Sequence, residues 1–116
     1  MKVSIAQIDI AYGNVSKNYE RTANSLQKAM ANHPDVIVLP EMWNTGYALA
    51  QLDELADENG ERTRNFLSAF AKKHDVNIIG GSCAVKRQGK FWNTAYDFDR
   101  KGQLINEYDK VHLFGL

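Results

Sequence analysis

The feature that most constrains the fold of this sequence is the run Val-Ile-Val-Leu at positions 36–39, which stops at Pro40 and is followed at once by Glu41. Apolar, β-branched residues without polar interruption predict a strand buried in a parallel sheet. Proline has no N–H to donate to a ladder, so the strand must end there or run along an edge. A carboxylate just past such a strand lies where open α/β sheets hold their sites. A solvated loop glutamate is the alternative interpretation of Glu41.

The residues before this strand predict the first two elements of a β-α-β unit. Residues 3–10 are almost continuously apolar and predict a first strand. Apolar residues then recur every three or four positions from Val15, which predicts a helix that runs to about Ala31 and is capped by Asn14 or Ser16. Two strands joined by a crossover helix pair in parallel with a right-handed connection.

The pattern changes from β-α-β units to hairpins in the second half of the chain. A second helix is predicted over Glu61–His74, followed by a third buried strand at residues 76–81. The paired glycines that end this strand indicate close approach of another backbone or of a ligand. Residues 91–99 and 104–108 predict antiparallel strands separated by turns, and the residues after 108 are expected to leave the sheet.

Composition excludes several classes of protein. A length of 116 residues fits one domain, 1–116, and the 14 basic and 14 acidic residues give no charge run that predicts a nucleic-acid partner. No apolar window is long enough for a membrane span, and the start does not resemble a signal peptide. One cysteine cannot form an internal disulfide, which favours a reducing, cytoplasmic setting. The spacing of histidines and acids predicts no metal site.

Two ionisable residues, Glu41 and Lys110, are both expected just past strand ends. If their strands are neighbours, the two side chains meet over the edge of the sheet, where each keeps the other charged. Such a pair can activate a thiol and stabilise an oxyanion, which are two of the three tasks in acyl transfer. A structural salt bridge at the sheet edge is the alternative.

Several motifs together resemble the nitrilase superfamily, the carbon–nitrogen hydrolases, and in detail its bacterial ω-amidase-like branch. They occur in the family's order along the whole chain: Ile5–Gln7, Gly13-Asn14, Asn18, Leu39–Trp43, Gly46-Tyr47, Gly80–Ser82, Asn93–Ala95 and Tyr108–Phe114. The resemblance implies an α/β fold that is a partial α-β-β-α sandwich, the N-terminal half of a nitrilase-like fold, with one mixed sheet and two helices. A truncated chain is therefore expected.

The resemblance also implies hydrolysis of a small, carboxylate-bearing amide by a Glu-Lys-Cys triad. Glu41 matches the general base and Lys110 matches the lysine that stabilises the tetrahedral intermediate, whereas the cysteine is expected a few dozen residues beyond Lys110. The 116 residues alone are then expected to be inactive. No metal or organic cofactor is implied, and a homo-oligomer, a dimer or larger, is expected.

Other residues have weaker claims on the site. Tyr47 and Trp43 are candidates to shape a substrate mouth, or they only pack. His112 is a third substrate-binding candidate, with a structural hydrogen-bonding role as the alternative. Cys83 is expected to be a buried thiol. Two other functions stay open: a non-catalytic α/β binding module, and an interaction protein that docks through an uncovered sheet face.

Overall fold

The computed structural model describes residues 1–113, which form one mixed sheet with two long helices packed on one of its faces. The strands are β1 (Val3–Ile5), β2 (Val36–Val38), β3 (Asp57–Glu58), β4 (Asn77–Ile79), β5 (Cys83–Arg87), β6 (Lys90–Phe98) and β7 (Leu104–Leu113). The helices are α1 (Val15–Ala29), α2 (Leu52–Leu55) and α3 (Glu61–His74), with 3₁₀ turns at Met30–Asn32 and Leu49–Gln51.

Strand β6 organises the sheet. β4 and β5 follow one another along one edge of β6, both antiparallel to it, and β7 runs antiparallel along its other edge. β1, β2 and β4 are parallel neighbours, and the short β3 pairs in parallel with β5. This mixed sheet confirms the predicted α/β class and the change from β-α-β units to hairpins.

The helices α1 and α3 cover one face of the sheet, which we call the helix-side face. Leu26 of α1 and Leu67 of α3 are fully buried there with Ile37 and Ile78 of the strands. The amphipathic pattern of each helix explains this packing, because its apolar stripe removes these side chains from water. α1 begins at the predicted cap, where the Asn14 side chain accepts a hydrogen bond from the Lys17 amide at 3.1 Å.

We call the opposite face of the sheet the open face. The register places Ile5, Val38, Ile79 and Asp97 on it, because directly paired residues point the same way and neighbours along a strand alternate. Several apolar side chains on this face are about half exposed or more: Val3, Ile5, Ile79, Tyr108 and Val111.

The predicted ends of the first and last strands were wrong. The first strand ends at Ile5 rather than residue 10, because its partner β2 ends at Val38 and offers no further ladder beyond the Ala6–Val38 hydrogen bond. The last strand does not end at residue 108 but continues to Leu113, because β6 extends to Lys90 and supplies partners along its whole length. The second helix has the predicted bounds.

The loops after β2 and β4 are held together by backbone contacts. Gly81 has φ +62°, and a Cβ on it would lie 2.0 Å from the carbonyl oxygen of Pro40, so the close backbone approach predicted from the paired glycines is confirmed. The Met42 amide donates to Ser82 Oγ at 3.0 Å, and the Ser82 amide to the Pro40 carbonyl at 3.3 Å. These contacts fix the loop that carries Glu41.

Within residues 1–113, no helix is both long and apolar enough to cross a membrane.

Candidate active site

Glu41 is the centre of a polar cluster on the open face. It follows Pro40 in the turn after β2. Its Oε1 atom accepts hydrogen bonds from Lys110 Nζ at 3.1 Å and from Asn93 Nδ2 at 2.9 Å. The Tyr47 hydroxyl also interacts with this carboxylate and helps to lower its pKa. The structure therefore brings together Glu41, Lys110 and Tyr47, three of the residues singled out from the sequence, and adds Asn93.

The contacts of Glu41 favour its ionised form. The hydrogen bond from Lys110, followed by that from Asn93, lowers the pKa of Glu41 below the usual glutamate value. The Glu41 side chain is 45% exposed and that of Lys110 is 40% exposed. Because solvent screens such a pair, it contributes little to folding stability. The carboxylate is charged and accessible, so it is able to accept a proton.

The cluster borders an open groove of about 360 Å³. Leu39, Ile79 and Ala95 give the groove apolar walls, while Asp97 and Tyr108 add polar groups near Glu41 and Lys110. A mixture of apolar wall and a few convergent polar groups is typical of small-molecule sites.

Lys110 reaches Glu41 from inside a strand, which corrects the expectation that it lies past a strand end. The register pairs Asn93 with Val111 and Thr94 with Asp109, so Lys110 is an extra residue in β7. Such a β-bulge sets two residues of one strand opposite one residue of its partner. Lys110 and Val111 therefore both stand opposite Asn93, and Lys110 shares the open face with Glu41.

Asn93 was part of a quoted motif but was not predicted to contact Glu41. It is 3% exposed, and its Oδ1 atom has no hydrogen-bond partner among the described residues. The available signal was strand alternation, which sends Asn93 to the face opposite Trp92 and Thr94. Its contact with Glu41 joins residues 52 positions apart, which a local pattern does not reveal.

Trp43 does not line the groove, and its contacts fit the packing alternative that the sequence left open. Its side chain is fully buried, its ring centroid lies 5.0 Å from that of Tyr19, and its Nε1 donates to the Gly80 carbonyl at 2.9 Å. Burial of a large aromatic ring with its one donor satisfied is a packing role.

His112 is also placed away from Glu41. It pairs with Trp92 in the sheet, and the two ring centroids are 4.8 Å apart. Trp92 lies on the face opposite Asn93, because adjacent strand residues alternate. His112 therefore belongs to the helix-side face, and its role as a substrate-binding residue stays a prediction.

Cys83 is the buried structural thiol that the sequence predicted. It is fully buried, and this burial raises the pKa of its thiol. A thiol held in its protonated form is a poor nucleophile. No group of three or more His, Cys, Asp or Glu side chains in residues 1–113 is arranged to hold a metal ion.

Comparison with known proteins identifies relatives over nearly the whole chain. The carbon-nitrogen hydrolase family profile matches residues 2–115. The 2-oxoglutaramate amidase of Bacillus subtilis (strain 168) is 48% identical over 114 residues, which are 98% of this chain and 44% of that protein. A protein named "hydrolase in agr operon" from Staphylococcus aureus is 46% identical over 113 residues, 97% of this chain and 43% of that one.

The fold agrees with solved structures of the same family. Saccharomyces cerevisiae Nit3, described as a member of branch 10 of the nitrilase superfamily, superposes with a TM-score of 0.83 and 28% identity, covering 97% of this chain and 44% of that chain. The chain spans less than half the length of these relatives. The matched profile, the sequence identities and the fold together show that this chain belongs to the carbon–nitrogen hydrolase family of the nitrilase superfamily.

Proposed function

We propose that this chain supplies the general base and the lysine of an amidase-type carbon–nitrogen hydrolase. The observation that carries the proposal is the contact of Glu41 Oε1 with Lys110 Nζ at 3.1 Å on the open face, beside a groove. The alternative of a structural salt bridge is less favoured, because a pair this exposed adds little stability. The position of the Glu41–Lys110 pair beside the groove therefore favours a catalytic role over a stabilising one.

In the proposed reaction a cysteine from outside residues 1–116 is the nucleophile. Glu41 takes the thiol proton, the sulfur bonds to the amide carbon, and the Lys110 ammonium stabilises the oxyanion. The carbon–nitrogen bond then breaks as Glu41 returns the proton to the departing ammonia. Glu41 next takes a proton from water, whose oxygen bonds to the thioester carbon. The carbon–sulfur bond then breaks, the acid leaves, and Glu41 returns the proton to the cysteine sulfur. Cys83 is unsuited to this role, because it is buried on the helix-side face.

The exposure of Glu41 on the open face supports a general base whose pKa rises when further chain covers that face. The pKa of Glu41 is lowered in this chain, where solvent reaches the carboxylate. A general base works best with a pKa near the working pH. If further chain covers the open face, removal of water would raise the pKa of Glu41 towards that range, since desolvation disfavours the charged form.

For the substrate we propose a small amide that bears a carboxylate. The support is the 48% identity to a relative named 2-oxoglutaramate amidase. We further propose a cytoplasmic homo-oligomer that needs no metal or organic cofactor, in keeping with the free cysteine and with the family resemblance.

The test is a segment exchange in the Bacillus subtilis relative. Residues 1–116 replace the matched segment of the 2-oxoglutaramate amidase, and ammonia release from 2-oxoglutaramate is measured. We expect activity in the exchanged protein and a loss of kcat/KM of about a hundredfold or more in Glu41→Gln and in Lys110→Met. The matched controls, Glu20→Gln and Lys17→Met, change exposed residues of α1 and should leave activity unchanged.

Each outcome of this assay decides a separate point. A folded Glu41→Gln exchange protein with full activity would contradict the role of Glu41. Amide hydrolysis by residues 1–116 alone would show that no further cysteine is needed. An exchange protein that has the melting temperature of the relative but hydrolyses no amide would favour the non-catalytic binding module.

A further inference from the structure

We propose that Asp109 is a positioning residue, and that its bonds to Arg87 and Thr94 on the helix-side face hold the strand register that directs Lys110 to Glu41. We call these three side chains the clamp. Its effect on catalysis rests on the proposed function, whereas its effect on the Glu41–Lys110 contact does not.

The clamp is a closed set of hydrogen bonds across three strands. The Arg87 guanidinium of β5 donates to both carboxylate oxygens of Asp109 in β7. Thr94 of β6 donates to Asp109 Oδ1 at 2.8 Å and accepts from Arg87 Nη2 at 3.0 Å. The side chains of Arg87 and Asp109 are only about one-third exposed, at 28% and 34%. A bidentate Arg–carboxylate pair fixes direction as well as distance.

The clamp lies next to the one residue that the bulge adds. Asp109 stands directly opposite Thr94, and Val111 stands opposite Asn93, with Lys110 between them. The bonds to Arg87 and Thr94 therefore fix the last residue before the bulge. Lys110 follows Asp109 directly, so the direction of its side chain depends on the backbone that the clamp holds.

A regular register that keeps Val111 opposite Asn93 but moves Asp109 away from Thr94 would reverse the two charges. With Val111 kept opposite Asn93, Lys110 would stand opposite Thr94 and point to the helix-side face. Asp109 would stand opposite Ala95 and point to the open face, beside Glu41. A slip of one residue exchanges faces in this way because side chains alternate along a strand. The clamp favours the register in which Asp109 stands opposite Thr94 and meets Arg87, and in that register Lys110 follows on the open face.

The first test is an NMR titration of the Glu41 carboxyl carbon in the 116-residue chain. Arg87→Lys keeps the charge but cannot form the two-pronged bond to Asp109. If the clamp positions Lys110, this variant weakens the Lys110–Glu41 contact and raises the pKa of Glu41 towards its ordinary value. The other groups near Glu41, which are Tyr47, Asn93 and Asp97, are unchanged by the substitution.

Asp109→Asn separates positioning from a direct effect of charge. Removing a negative charge would by itself lower the pKa of Glu41, whereas releasing Lys110 raises it. We expect a rise. Glu107→Gln is the matched control, because Glu107 stands opposite Tyr96 on the same strand and face as Asp109 but is outside the clamp. It should give no rise.

An unchanged Glu41 pKa in Arg87→Lys, or a lower one in Asp109→Asn, would overturn the inference. Should Asp109→Asn fail to fold, Arg87→Lys still decides, because it retains the charge and most of the side chain. Thr94→Val tests the same point from the third member of the clamp and should also raise the pKa of Glu41.

The catalytic consequence is tested in the exchange protein with 2-oxoglutaramate. Arg87→Lys should lower kcat by about tenfold or more, because a displaced lysine stabilises the oxyanion less well. It should move the acid limb of the pH–rate profile to higher pH, which a purely structural defect would not do. An unchanged kcat would overturn this part. If the unsubstituted exchange protein is itself inactive, the proposed function fails, while the titration still judges the clamp.

Discussion

The two faces of the sheet differ sharply in how far their side chains are exposed to solvent. Ile78 and Ile79 are neighbours in β4 and have the same side chain, yet Ile78 is 1% exposed beneath the helices and Ile79 is 48% exposed on the open face. The helix-side face is close-packed and apolar beneath α1 and α3, while the open face carries Glu41, Lys110 and Asn93 among exposed apolar groups. Folding stability and candidate chemistry therefore occupy opposite sides of the same strands.

The largest effect is expected from Ile78→Ala. Removing buried methyl groups costs their transfer free energy plus that of the cavity left behind, so the free energy of unfolding should fall by about 2–5 kcal/mol. Urea denaturation followed by circular dichroism measures it. A loss below about 1 kcal/mol would show that the helix-side face is loosely packed and would break the comparison.

Gly81→Ala should cause the next largest loss of unfolding free energy, although Gly81 is next to the open face. A non-glycine residue with positive φ costs about 1–2 kcal/mol, and the added Cβ would also meet the Pro40 carbonyl. The matched control is Gly89→Ala, which has φ +74° but no atom within 4 Å of its Cβ. The difference in unfolding free energy between the two variants isolates the contact with Pro40. Equal losses would contradict a tight loop pairing behind Glu41.

Ile79→Ala sharpens the comparison, because it makes the same change as Ile78→Ala one residue further on. We expect the free energy of unfolding to change by no more than about 0.5 kcal/mol, as is usual for exposed positions. Binding of a hydrophobic dye should fall, since the variant removes part of the exposed apolar surface. A loss as large as that of Ile78→Ala would show that the open face is packed.

The smallest effect concerns pH. The pKa of Glu41 is lowered in the folded chain, so its ionisation stabilises the fold above the ordinary glutamate pKa. This contribution is lost as the pH falls through the lowered value. The stability difference between the parent chain and Glu41→Gln should be greater at pH 7 than at pH 3, and it should shrink in high salt because the pair is exposed. Urea denaturation at the two pH values measures it.

The sequence was sufficient to predict the helices and strands whose apolar residues repeat at a regular spacing. The helix over Glu61–His74 and the parallel order of the first strands followed from repeats of three to four residues and from unbroken apolar runs. The position of Glu41 after β2 followed from Pro40, which ends the ladder. These are local signals, and the packing of the sheet agrees with them.

The parts that were missed depend on breaks in periodicity or on long-range pairing. The bulge at Lys110 removes the alternation on which a strand prediction rests, so neither the length of β7 nor the face of His112 was evident from spacing. Trp43 is next to the site in sequence, but its ring turns inward to reach Gly80. Asn93 meets Glu41 only once β6 lies beside β4, which no local pattern specifies.

Because Cys83 is buried, the rate at which its thiol is alkylated reports how often the folded chain opens. Cys83 is the single cysteine in 116 residues, and none of its side chain is exposed. Alkylating reagents attack the thiolate, so they react at an appreciable rate only in molecules whose interior has opened. The labelling rate relative to that of the unfolded chain then reports the free energy of opening. A cysteine introduced on the open face would react much faster, so a fluorophore or spin label could be placed beside Glu41 without removing the native thiol.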